Sequence, residues 1–577
     1  MRRTACVYTT VALALLTYST TLAAAEIHVA ESGKDTNSGD KNAPVASVHR
    51  AQELARQKPG STVVMHEGTW FLPEPLLFTS ADSGTTWRAA EGKKPVLSGG
   101  RTISGWTLKA NGIWSAPVPG ANDWYFRNLF VNGKRAIRAR FPNRSAKDYA
   151  IRLHGYGKGG ADTPETVTVD PQYVADWKNL TDVEVVGFKN WASYHKRIQQ
   201  VDKATGACTM MLPNNSYSGR NMLTSKRYAF FENALELLDE PGEWYLDRTD
   251  EKLYYMPREG EELSKVAVIA PKLESVVVIE GTAEKPVKNL SFQGLTFSHG
   301  ADRLPPEGHQ GQQAGLNYGA PPPPSKITAT YLLDSAFVGC TVSQGGGMGI
   351  SLLEGACGNR IEGCHLHDLG NNGIQIHGPM EGKKPVEEKI PKNNRVENNY
   401  VHDCGTVYLG SCGIFVGAGQ GTIISHNEVA DLPYTGISVG WVWGATPSPI
   451  CRNTIEWNYI HNVMREVCDG GPIYVLGFQP ESSIRFNHIH GVRRGPYAHI
   501  SPNPALYFDS GGSGFLVKEN LLYDIAKNHF ERLKEAREKF QFENNAYIEG
   551  LDNEKAALPE VRAKAGLEEK WKKLLEQ

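Results

Sequence analysis

Six asparagines, Asn399, Asn427, Asn458, Asn487, Asn520 and Asn545, follow one another at separations of 28, 31, 29, 33 and 25 residues, each just ahead of a short strand pattern. The unit is clearest in Asn458-Tyr-Ile-His and Asn487-His-Ile-His. A second apolar strand recurs beside it: Gly-Ile374-Gln-Ile before the series, then Ile414-Phe-Val, Ile437-Ser-Val, Ile473-Tyr-Val and Leu506-Tyr-Phe within it. A constant strand signature with irregular spacing is a repeat whose loops differ in length, and a period in the range of about 20 to 50 residues points to a solenoid. No long helical pattern interrupts these units, so the chain is expected to be all-β, a right-handed parallel β-helix. Side chains alternate across a strand, which turns each asparagine inward together with the apolar residue two positions on. The asparagines then stack as a ladder, each buried amide finding its partner one coil away.

The segment 1–25 combines Arg2 and Arg3, the apolar run Val11–Leu16 and Ala23-Ala-Ala25, the pattern of a secretory leader cut before Glu26. A secreted or periplasmic protein is expected. Residues 26–104 read as an N-terminal cap and the first coils, with a helical period over Val48–Gln57. Residues 105–260 switch to alternating, hairpin-like strands with turn signals such as Asn132-Gly133 and are expected to form an inserted β-sandwich. The solenoid occupies 261–550. The amphipathic stretch in 551–577 is expected to be a short helical tail that docks on the last coil and closes its edge. A formal charge of -2 argues against nucleic acid as a partner, and no segment is apolar for long enough to span a membrane. Cys340 and Cys364 fall in the ladder slot of earlier coils and read as packed thiols. No CxxC or His/Cys cluster with zinc spacing occurs, so neither a metal nor another cofactor is expected.

The chemistry concentrates in two consecutive units, Asp469-Gly-Gly-Pro-Ile-Tyr-Val-Leu-Gly and Tyr507-Phe-Asp509-Ser-Gly-Gly. Two carboxylates delivered by neighbouring coils can share one cleft, and a carboxylate pair is what glycosidic bond hydrolysis needs. An aspartate beside Gly-Gly also serves as plain turn chemistry. Tyr474 and Tyr507 should face outward beside the pair. Trp441 and Trp443 leave the strand one coil earlier and offer indole faces to a sugar ring, or else cap the core. The column His402, His461 and His490 is either a stacked surface ladder or a row facing substrate, with His461 the candidate. Arg494 of the Arg493-Arg494 pair could hold an anionic group. The long connection 303–325, with His309 and Gln313, is expected beside the site.

The segments Phe130-Val-Asn-Gly-Lys-Arg-Ala-Ile-Arg-Ala-Arg-Phe-Pro-Asn143, Gly436-Ile-Ser-Val-Gly-Trp-Val-Trp-Gly444, Asp469–Gly477 and Tyr507–Gly514 together resemble glycoside hydrolase family 141, over nearly all of the chain beyond residue 25. More distantly the chain is similar to the β-xylosidases of family 120. The resemblance implies a β-helix carrying a β-sandwich, a glycoside hydrolase acting on plant or algal poly- or oligosaccharide, and a catalytic pair matching Asp469 and Asp509. Family 141 includes α-L-fucosidases and xylanases; α-L-fucoside hydrolysis is the leading expectation, with a β-xylosidase or xylanase activity as alternative. Pro472 stands where members often have Ala. A β-helix polysaccharide lyase and a carbohydrate-binding adhesin are the rival classes. The lyase would need a local base and often a calcium-binding acidic cluster, and the adhesin would favour short, regular loops.

Overall fold

The computed structural model describes residues 25–160, 162–214, 226–316, 321–382, 384–528, 530–549 and 557–576. The expected leader therefore lies outside the described residues, apart from Ala25.

Three long parallel sheets, of twelve, eleven and ten strands, form the faces of a parallel β-helix, and the chain visits them in that order in each full coil. The coils are in register: Ile473–Leu476 pairs with Leu506–Phe508 through Ile473 with Leu506 and Val475 with Phe508. One continuous apolar core fills the interior. The helix Val48–Gln57, capped by the Ser47 side chain accepting from Arg50 N–H, buries Val48, Ala51 and Leu54 against the first coils.

The corner between the twelve- and eleven-stranded sheets carries the asparagine ladder. Asn399, Asn427, Asn458, Asn487 and Asn520 are all fully buried. Each uses the same bonds: Asn427 Nδ2 donates to Asn458 Oδ1 at 2.9 Å and to the Val396 carbonyl at 2.9 Å, while its backbone N–H donates to Asn458 Oδ1 at 3.1 Å. No amide on this corner is left to pair with water, which is the condition for burying it. Cys364 takes the slot one coil earlier, its backbone N–H bonded to Asn399 Oδ1 at 2.9 Å. The residue ahead of each rung turns the chain with a left-handed backbone, at Trp457 (φ 56°) and Phe486 (φ 58°) as well as at Gly339 (φ 60°) and Gly363 (φ 61°). Bulky side chains seldom adopt that conformation; here they stack outside the corner, Trp457 on Phe486 with centroids 4.6 Å apart.

The tail departs from expectation. It starts on the last coils, where Val561 packs with Leu521, Tyr523 and Ile548, but then runs back along the outside of this corner instead of closing the end. Glu568 N–H bonds Asn398 Oδ1 at 2.9 Å, Lys570 pairs with Glu362 at 2.9 Å, and the Trp571 ring lies where a Cβ on Gly363 would stand, 2.3 Å from its atoms. The amphipathic pattern reports that a helix has an apolar side, not which surface receives it.

The corner between the eleven- and ten-stranded sheets is the irregular one. The insertion enters here, between the strands Val96–Ser98 and Val277–Glu280, as two eight-stranded sheets, each with its own apolar core. The turns of later coils that hold Cys404, Pro433 and Glu466 leave from the same corner, so the insertion stands beside them.

Candidate active site

Asp469 sits at the end of the turn leading into Ile473–Leu476, with a left-handed backbone (φ 63°). Asp509 directly follows Leu506–Phe508, one coil on. Between them lie Tyr474 and Tyr507, register partners on the outer side of the ten-stranded sheet. The two rings meet edge to face at 5.0 Å and 72°, and they are cross-wired. Tyr507, from the coil of Asp509, donates to Asp469 Oδ1 at 2.9 Å; Tyr474, from the coil of Asp469, donates to Asp509 Oδ2. Each carboxylate is thus held by the tyrosine of the other's coil, over one shared aromatic floor. Burial first, and neighbouring acidic groups second, push both phenols well above their ordinary range, so they act as fixed donors.

The following coil adds the cations. Glu531–Leu533 pairs with Leu506–Phe508, placing Arg532 opposite Tyr507. Arg532 Nη1 lies 3.3 Å from Asp469 Oδ1, its guanidinium 4.8 Å over the Tyr507 ring, and Lys534 Nζ contacts Asp509 Oδ1. The Ser510 N–H donates to the same oxygen at 2.7 Å. Among the described residues Asp469 Oδ2 has no hydrogen-bond donor. Both carboxylates keep some exposure, 19% and 14% of their side chains, so a substrate can reach them.

The wall around Asp469 is built by three separate segments. Tyr434 O–H donates to the Asp469 carbonyl at 2.8 Å, and Gln313 Nε2 reaches Tyr434 Oη at 2.9 Å and the same carbonyl at 3.4 Å. Gln313 is delivered by the long connection, which Asn371 and Asn372 tie down through the Gly315 and Ala314 carbonyls at 2.8 and 2.7 Å. The insertion contributes Asn190, whose carbonyl accepts from Cys468 N–H at 2.7 Å, one residue before Asp469.

Of the two tryptophans, Trp441 is only 4% exposed, wedged against Phe415 at 5.5 Å and Tyr474 at 6.3 Å, while Trp443 beside it is 41% exposed. Only Trp443 presents a broad surface to a sugar; Trp441 backs the tyrosine floor. Arg494 belongs to the turn that leads to Leu506 and donates to the Ser501 carbonyl at 2.6 Å. Its charge acts on Cys468 and His499, two groups that also feel Asp469.

Two candidates are placed elsewhere. His461 lies on the eleven-stranded sheet, stacked on His490 at 5.5 Å and bonded to Glu428 at 3.1 Å; one strand position outward is outward on a different face. His309 is fully enclosed, its backbone exchanging two 2.9 Å bonds with His195 of the insertion and its ring 4.3 Å from Tyr408. Burial holds it well below the usual imidazole range, and its part is to fasten the connection to the insertion. Arg532, Lys534 and Tyr434 escaped the sequence reading. The signal was there, since the interval Asn520 to Asn545 requires a ten-stranded-sheet strand within it, but Glu531-Arg-Leu-Lys534 lacks the apolar run that marks its predecessors.

Residues 111–258 match the model of the GH141 insertion domain and residues 326–446 that of the right-handed β-helix region. A solved structure described as a glycoside hydrolase superposes with a TM-score of 0.81 at 27% identity, covering 95% of this chain and 100% of its own. The complex of XylC with xylose aligns at TM-score 0.48 and 14% identity over 92% of this chain and 85% of its own. A rhamnogalacturonan lyase aligns at 0.41 and 11% over 92% and 90%. No curated protein matches. Among the described residues no helix is long and apolar enough to cross a membrane.

Proposed function

We propose that this glycoside hydrolase is of the family 141 type, that Asp469 and Asp509 are its catalytic carboxylates and that it releases α-L-fucosyl residues from plant or algal poly- or oligosaccharide outside the cytoplasm. The observation that carries the pair is the cross-wired floor: two tyrosines hold two carboxylates from successive coils above one aromatic surface. The sugar rests on the resemblance to a family with α-L-fucosidase members, and the location on the leader pattern.

The donor sets divide the roles. Asp509 takes Tyr474 on one oxygen and Lys534 with Ser510 N–H on the other, an arrangement that holds negative charge and suits the nucleophile or the base for water. Both donors of Asp469 share Oδ1, which leaves Oδ2 to meet the leaving oxygen as acid. Arg532 and Lys534 hold the pair in place without moving a proton.

Leaving-group dependence tests this. Asp469→Asn should stay active on α-L-fucosides with strongly acidic phenol leaving groups, which need no protonation, and lose about 10² to 10⁴ in kcat on natural linkages. Asp509→Asn should lose both. The same panel of aryl glycosides decides the sugar: cleavage of β-D-xylosides in place of α-L-fucosides would overturn the fucosidase reading and leave the pair standing. Near wild-type turnover in either variant would remove that residue from the mechanism, and an unsaturated uronate product would mark a lyase.

A further inference from the structure

The segment Phe130–Asn143, which carried part of the resemblance, supplies Arg135, Arg138 and Arg140, with Arg144 directly after it, and the mechanism uses none of them. Together with Arg127 and Arg465 they line a cavity of about 330 Å³ between the insertion and the turns around Cys404, Pro433 and Glu466. Five of these arginines have a carboxylate partner: Arg127 with Glu184 at 2.6 Å, Arg135 with Asp368 at 2.5 Å, Arg138 with Glu232 at 2.6 Å, Arg144 with Glu466 at 2.5 Å and Arg465 with Asp431 at 3.4 Å.

Arg140 is different. It is 7% exposed, and its backbone N–H donates to Glu243 Oε1 at 3.2 Å, yet among the described residues no carboxylate oxygen lies within 4 Å of its guanidinium nitrogens. Its Nε and Nη2 donate to the carbonyls of Pro142 at 3.0 Å and Tyr149 at 2.7 Å, and its guanidinium carbon lies 3.5 Å from the centre of the Phe230 ring. Those contacts orient the guanidinium and do not neutralise it. Burial pulls its pKa down to about 10, against the pull of Glu232, Glu243 and Glu466 farther off. An enclosed cation without a counter-charge is unfavourable, and departures of this kind from the usual pairing rules gather at functional sites.

We propose that this cavity binds the anionic group of a saccharide, a carboxylate or a sulfate ester, which completes the pairing of Arg140 while the sugar ring packs near Phe188 and Phe230. The volume falls at the lower end of ligand pockets, room for about one monosaccharide. Glu466 in its wall stands only three residues ahead of Asp469 on the same turn. The inference rests on the chain being a glycoside hydrolase and adds which saccharides it accepts: those with an acidic unit. Arginine suits the role because its planar fork meets a carboxylate or sulfate through two donors.

Calorimetry on the chain from Glu26 to Gln577 tests it, with a galacturonate trisaccharide, a sulfated galacto-oligosaccharide, their neutral counterparts and inorganic sulfate as probes. An acidic saccharide is expected to bind at least ten-fold more tightly than its neutral counterpart, and the stronger of the two acidic probes identifies the group. Arg140→Gln should abolish that preference while hydrolysis of a neutral aryl glycoside continues at the wild-type rate, so the catalytic reading is judged separately. Should Arg140→Gln fail to fold, Arg140→Lys, which keeps the charge and loses the fork, is expected to weaken acidic binding about ten-fold. Equal binding of acidic and neutral saccharides, binding of inorganic sulfate alone, or an acidic preference that either substitution leaves undiminished would overturn the proposal.

Discussion

Two corners of the same helix are solved in opposite ways. The corner between the twelve- and eleven-stranded sheets repeats one neutral side chain coil after coil, Asn399 through Asn520, with every amide satisfied inside the protein. The corner between the eleven- and ten-stranded sheets changes length in each coil and carries the insertion, the long connection and Asp469, with Asp509 at the far end of a neighbouring strand. A solenoid transmits register only between neighbouring coils, so one strictly regular corner is enough to hold the coils in step. The other corner is then free to vary, and chemistry can be placed there without disturbing the stack.

That division can be broken at either side, and the largest effect is expected on the irregular one. Asp469→Asn and Asp509→Asn should each lower kcat on a natural substrate by about 10² to 10⁴ with little change in melting temperature, measured side by side on the same preparations. On the ladder the effects should invert. Asn458→Ala removes the acceptor of Asn427 N–H and Nδ2, takes the Nδ2 donor from the Ile424 carbonyl, and leaves Asn487 Oδ1 with the residue 458 backbone N–H as its remaining ladder donor. A loss of about 2–4 kcal/mol in unfolding free energy follows, with kcat of the folded fraction unchanged; a kcat that fell with stability would mean the corners are coupled.

The ladder is neutral and the other corner is not, which predicts where pH acts. Lys326, fully buried with its ammonium donating to the Ser343 carbonyl at 2.6 Å, is pushed by burial down to about 7. Its unfolded value is about 10.4, so between these limits the unfolded chain holds one more proton and stability rises with pH. The slope is about 1.4 kcal/mol per pH unit. Lys189, buried in the insertion and also lowered to about 7, adds a slope of the same sign. Lys326→Met should therefore leave a shallower rise in a urea titration run from pH 7 to 9; an unchanged slope would assign it elsewhere. Smallest is the platform: Trp443→Ala should raise KM by about five- to ten-fold at constant stability, whereas Trp441→Ala should destabilise, being packed on Phe415 and Tyr474. Equal behaviour of the two variants would erase the distinction their exposures draw.

How far the sequence could be read follows the same division. The ladder was legible because one residue type recurs in one strand context. The aspartates and tyrosines were legible because Gly-Gly flanks and strand alternation place them. Arg532 and Lys534 were not, since their strand Glu531-Arg-Leu has no apolar run to announce it. The orientation of His461 could be read, but not its face, because alternation says in or out and three sheets all have an outside. His309 looked like a side chain for substrate, yet it acts through its backbone, which no side-chain pattern reveals.

The backward course of the tail bears on how the protein is made. Apart from the coils that flank the insertion, where Thr86 pairs with Ser291, each coil forms contacts with neighbours about thirty residues away, whereas Glu568 meets Asn398 and Lys570 meets Glu362 across 170 and 208 residues. The coils can close one after another as the chain emerges during synthesis, but these ties cannot form until residues 568–571 are out. They join this segment to coils completed long before, and such distant contacts form slowly. A polypeptide halted at 556 would therefore have Asp469 and Asp509 but lack the strap along its side, and should come apart coil by coil where the chain with residues 557–576 must open several at once.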